Sequence, residues 1–160
     1  MKKKTFNVTF LLLFLLLSGC GFKPILIESD YDFSIRVDNT TGDSQVNSQI
    51  ENKLKSLKGI KKIFKINLKS KKTKNIISKD SKGDPTILEI VINLSYTLRE
   101  NSKVLTNRSL TQRSTYNNIS DKFELSKSEE ILKDSMVENL VSDIINSASN
   151  LITNPMVNDN

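Results

Sequence analysis

The chain has 160 residues, with 24 basic and 18 acidic side chains, one cysteine and no histidine, for a formal net charge of +6. That length supports one hydrophobic core and hardly two. The missing histidine removes the commonest general base and the commonest imidazole metal ligand, and a lone cysteine has no partner for a disulfide.

Residues 1–19 read as an export signal. Lys2, Lys3 and Lys4 form a positive start, Phe6 to Leu17 supply twelve mostly apolar residues, and Ser18-Gly19 offer the small side chains a signal peptidase admits. A permanent spanning helix needs roughly 20 apolar residues, so the run is too short for one. Leu17-Ser18-Gly19-Cys20 resembles the lipobox of bacterial lipoproteins, where the chain is cut before the cysteine and the thiol is acylated. Cys20 is therefore the expected lipidation site. Losing the three leader lysines lowers the net charge to +3. A modest charge and export both argue against nucleic acid as a partner.

Residues 20–32 show no clear period and read as a lipidated tether. In Phe33, Ile35 and Val37 the apolar positions alternate with Ser34, Arg36 and Asp38, which predicts a short half-buried strand ending in the turn formers Asp38 to Gly42. A helix is predicted over residues 43–58, because Val46, Ile50, Leu54 and Leu57 form one apolar stripe. Asp43 or Ser44 suits its N-cap, and Gly59 suits a left-handed residue after its end.

Phe64, Ile66 and Leu68 mark a second strand, followed by the polar stretch Lys69 to Asn75, then Ile76-Ile77, then a polar segment containing Gly83 and Pro85. Leu88, Ile90, Ile92, Leu94, Tyr96 and Leu98 take every second place, opposite a largely polar face. That is an antiparallel-type strand with one buried side. Residues 99–103 make a tight turn, and Val104 to Tyr116 return as a hairpin partner. Ser126 with Glu129 reads as a capping box opening a long helix, whose stripe runs through Leu132, Met136, Leu140 and Ile144. Asn154 and Pro155 end it, and a polar tail closes the chain.

The order β-α-β-β-β-α predicts a single α+β domain over residues 33–154, with residues 155–160 as tail. Two striped helices and a sheet with one apolar face bury each other in a two-layer sandwich, two helices packed on a four-stranded mixed sheet. The first strand-helix-strand unit places its strands parallel by a right-handed crossover, and the others form a meander.

No catalytic constellation emerges. There is no Ser-His-Asp or Cys-His pair, no glycine-rich phosphate loop and no carboxylate cluster at metal-ligand spacing, so neither enzyme activity nor a cofactor nor a metal is expected. Asp121, Glu129 and Glu130 are placed at a helix start, where negative charge favours the dipole. The remaining candidate is the lysine-rich stretch of Lys65, Lys69, Lys71, Lys72 and Lys74. Alternation puts Lys65, Lys69 and Lys71 on one face of a strand. One reading is a solvated edge guarded against unwanted pairing. The other is an anion site for phosphorylated lipid headgroups, with Lys65, Lys69, Lys71 and Lys72 as candidate lipopolysaccharide contacts. Arg108 and Arg113 are weaker candidates of the same kind.

Cys20-Gly21-Phe22-Lys23-Pro24 resembles the Cys-Gly-Phe-x-Pro start of the mature LPS-assembly lipoprotein LptE family. Tyr96-Thr97-Leu98-Arg99, Val104-Leu105-Thr106 and Arg113-Ser114-Thr115-Tyr116 are similar to that family's strand, turn, strand and closing aromatic. Where the family has Leu-Tyr after the proline, this chain has Ile25-Leu26. The resemblance implies a lipid-anchored, periplasm-facing outer-membrane protein that fills an LptD-type β-barrel and supports lipopolysaccharide insertion into the outer leaflet. The rival expectation is a periplasm-facing lipoprotein that scaffolds or regulates envelope enzymes.

Overall fold

A computed structural model describes residues 31–153. Six elements follow one another: β1 (Phe33–Gly42), α1 (Ser44–Leu54), β2 (Lys62–Lys79), β3 (Pro85–Glu100), β4 (Lys103–Asn117) and α2 (Lys122–Thr153). The strands form one sheet in the order β1-β2-β3-β4. β1 runs parallel to β2, and the other neighbours are antiparallel. This is the expected two-layer α+β sandwich of two helices on a four-stranded mixed sheet.

One face of the sheet makes the core. Phe33 and Ile35 from β1, Phe64, Ile66 and Leu68 from β2, and Ile90 through Leu98 at every second place in β3 are all buried. Val46, Ile50 and Leu54 of α1 and Val137, Leu140 and Ile144 of α2 close over them. The rings of Phe33 and Phe64 meet edge-on across the parallel pair, with centroids 5.7 Å apart. At about 1.5 Å per residue α2 runs for nearly 50 Å, while α1 covers only about a third of that.

Several boundaries differ from expectation, each for a local reason. β1 continues through the expected turn at residues 38–42, because a register shift at Asp38 lets Thr40, Thr41 and Gly42 pair with Leu68, Lys69 and Ser70. Gly42 then ends it with φ of 94° and lies so close to β2 that a Cβ would sit 1.8 Å from the Ser70 carbonyl oxygen. α1 starts where expected, with the Asp43 carboxylate accepting from the Val46 amide at 3.0 Å. It ends at Leu54, before residue 58, as Ser56 and Leu57 tighten into i+3 bonds that keep Leu57 buried.

Gly59 is not a left-handed cap. It is needed for close approach, since a Cβ there would meet the Phe33 nitrogen at 2.1 Å. The Lys69–Asn75 stretch is strand, because β3 pairs with it residue for residue. The 99–103 turn narrows to Asn101-Ser102, with Asn101 at φ of 51°.

The long helix begins at Lys122. Asp121 caps it, accepting through Oδ1 from the amides of Phe123 and Glu124 at 2.9 and 3.1 Å. The capping box at Ser126 and Glu129 does not form, which frees the Glu129 carboxylate for other partners. The leader (residues 1–19), Cys20, the tether as far as Asp30 and the 155–160 tail lie outside the described residues.

Candidate functional site

The lysines of β2 divide between the two faces of the sheet. Inward positions Phe64, Ile66, Leu68 and Ser70 are buried, and the intervening Lys65, Lys69 and Lys71 project exposed from the open face. None of these three lysines makes an ion pair with another described residue. The register adds two residues that sequence reasoning missed. Arg36 of β1 and Arg99 of β3 both pair with Lys65, so three cations stand in a row across three strands. Like charges set directly opposite repel, which costs stability unless water or an anion intervenes. Neither arginine carried a signal in the sequence beyond its parity, because only strand register brings them together.

The rest of the open face carries hydroxyls and amides, with Glu89 and the apolar Ile63 and Val91 among them. Ser95 and Ser109 share a 2.9 Å hydrogen bond, and Thr111 donates to Asn93 at 2.8 Å. The Glu89 carboxylate on this face accepts from Asn75 at 3.0 Å and lies 3.5 Å from the Arg113 guanidinium. Arg113 thus joins this face, while Arg108, paired with Tyr96, belongs to the side the helices cover.

Lys72 and Lys74 also belong to that covered side. Lys72 donates to the Gln45 side-chain oxygen at 3.1 Å and lies 3.6 Å from Asp43, tying the strand to the start of α1. Lys74 donates to Glu129 at 2.5 Å, and the Tyr116 hydroxyl donates to the same oxygen at 2.7 Å. Burial by itself would raise the Glu129 carboxyl. The bonds from Lys74 and Tyr116, with the charges of Lys74 and Lys72, more than offset this and hold it below the ordinary carboxylate value. Tyr116 is pushed well above the ordinary phenol value, first by burial and then by its bond to the anionic Glu129. Gln45, Lys72, Lys74 and Glu129 border a cleft of about 560 Å³ between the two helix starts, which Glu130 and Lys133 also line.

The four candidate contacts therefore do not form one patch. Lys65, Lys69 and Lys71 share the open face with Arg36 and Arg99, and Lys72 is a structural tie on the other. Among the described residues no three acidic, histidine or cysteine side chains converge as a metal site requires, and no helix is long and apolar enough to cross a membrane.

No family model and no curated protein sequence matches the chain. Solved structures do. An uncharacterized lipoprotein B from Nitrosomonas europaea superposes with a TM-score of 0.59 at 18% identity, over 84% of this chain and 94% of that one. Rare lipoprotein B from Shewanella oneidensis gives a TM-score of 0.57 at 13% identity, over 76% of this chain and 96% of that one. The fold is shared with bacterial lipoproteins. At these identities the likeness is one of fold, and it extends over nearly the whole of each lipoprotein domain.

Proposed function

We propose that this chain is an outer-membrane lipoprotein of the LptE kind, anchored through acylated Cys20, that plugs an LptD-type β-barrel and helps assemble it for lipopolysaccharide insertion. The reading is carried by one conjunction: a Cys-Gly-Phe-Lys-Pro start on a fold that covers 96% of a known lipoprotein domain. Each buried acyl methylene adds about 0.8 kcal/mol, so two or more chains anchor stably without a spanning helix. The lumen of a wide barrel is polar and wet. A plug for it needs a polar exterior, and the uncovered face of this sheet is mostly hydroxyls, amides and cations.

On this reading the protein does assembly and not catalysis, and the row Arg36, Lys65 and Arg99, with Lys69 and Lys71, faces anionic groups of lipopolysaccharide or of the barrel wall. Purification of the lipidated protein from mild detergent tests the partner. Co-recovery of a large heat-modifiable barrel is expected, and recovery of the chain alone overturns the plug. Substitution Cys20→Ser is expected to abolish acyl labelling and release the protein from the membrane fraction.

A further inference from the structure

Three stretches of strand edge are free among the described residues, and they differ. The β1 edge is broken by the register shift at Asp38. The edge of β2 beyond Ser70, where β1 ends, carries Lys71, Lys72, Lys74 and Lys79, and lysines of this kind discourage strand addition. β4 confines both devices to its first residues, in Lys103 and a register shift between Val104 and Thr106. From Thr106 to Asn117 it pairs with β3 in unbroken register, without proline, bulge or lysine. Among the described residues, no hydrogen bond outside the ladder with β3 reaches its backbone. An edge this long and regular presents a row of outward amides and carbonyls ready to pair.

The side chains beside that edge have one sign. β4 contains Lys103, Arg108 and Arg113 and no aspartate or glutamate. Arg108 stands exposed on the side the helices cover. Arg113 stands on the open side, its side chain still 63% exposed despite the neighbouring Glu89. Cations thus flank the edge on both faces. A strand laid along it meets one on each side, whichever way its own alternation falls.

We propose that the edge of β4 is a docking site for an extended acidic segment of another polypeptide, which adds to the sheet as a fifth strand. Main-chain bonds supply affinity, and carboxylates opposite Arg108 and Arg113 supply selectivity. A second copy of this chain fits less well, since it would bring three like charges and no anion. The inference is independent of the barrel reading, because any acidic extended segment of an envelope protein satisfies it.

Hydrogen exchange on the full lipidated chain in detergent, with a synthetic dodecapeptide alternating valine with glutamate and threonine, tests the site. The outward amides of Thr106–Asn117 should exchange rapidly alone and about tenfold more slowly with the peptide. Arg108→Glu, at an exposed position, should weaken peptide affinity about tenfold, while Arg108→Lys retains most of it. An unchanged thermal melt shows that the variant is folded. Four results each overturn the proposal: protection of β4 before peptide is added, equal binding of a peptide with lysine in place of glutamate, protection at residues 71–79 instead, or self-association of the chain through β4.

Discussion

The two halves of β2 are one strand with two different lives. From Lys62 to Ser70 it pairs with β1, and from Lys65 with β3 as well, and its inward side chains belong to the core. From Lys71 to Lys79 only β3 pairs with it, and Ile76 and Ile77 lie half exposed. Both halves are extended, because β3 pairs with the strand on either side of Ser70. They differ in what burial adds: the first half belongs to the core, and the second is a polar arm whose lysines tie the helix starts or face solvent.

The sharpest way to break this contrast is to truncate one side chain in each half. Phe64→Ala removes a fully buried ring and should cost about 3–5 kcal/mol in chemical denaturation, whereas Ile76→Ala should cost under about 1 kcal/mol. Equal losses would mean that the second half is as buried as the first. The junction comes next. Gly42→Ala forces a Cβ into the Ser70 carbonyl at a positive φ and should cost at least about 2 kcal/mol. Gly83→Ala, also at positive φ but in open space, should cost only about 1 kcal/mol.

A smaller effect separates the tie at Lys74 from the free lysines. The Glu129 carboxyl is held below its ordinary value in the folded state. Its stabilising contribution is therefore complete above about pH 4.3 and is lost as pH falls through the folded value. Lys74→Met should lower stability at pH 7 and flatten the acid limb of the stability curve, followed by thermal melts between pH 7 and 3. Lys69→Met should leave that limb unchanged. The smallest effect on stability, under about 0.5 kcal/mol, is expected for Lys71→Val with Lys79→Val. The same pair should raise light scattering on concentration, because it removes the edge guard. A pair that stays monodisperse would return the free lysines to a binding role alone.

The periodic segments were readable because burial writes itself as period. The alternation of Leu88 to Leu98 and the i+4 ladder from Leu132 to Ile144 each fall in the element they predict. The misread stretches lack that signal. Lys69 to Asn75 has no apolar alternation, so nothing local marks it as strand; it is extended because β3 holds it. Glu129 matched a capping pattern with Ser126, but Asp121 caps a turn earlier, and the carboxylate serves Lys74 and Tyr116 instead. For the site, parity alone grouped Lys65, Lys69 and Lys71. Lys72 was placed with them by proximity in sequence, which alternation along a strand contradicts.

Composition and local pattern thus decided the layer architecture. Two striped helices and one-sided strands are properties of neighbouring residues. Register, edges and close approaches are not. That Arg36, Lys65 and Arg99 stand in a row, that β2 loses its second partner at Ser70, and that β4 has a partner strand on one side only depend on which backbone lies beside which. Those pairings join residues up to dozens of positions apart, and only the folded sheet sets them.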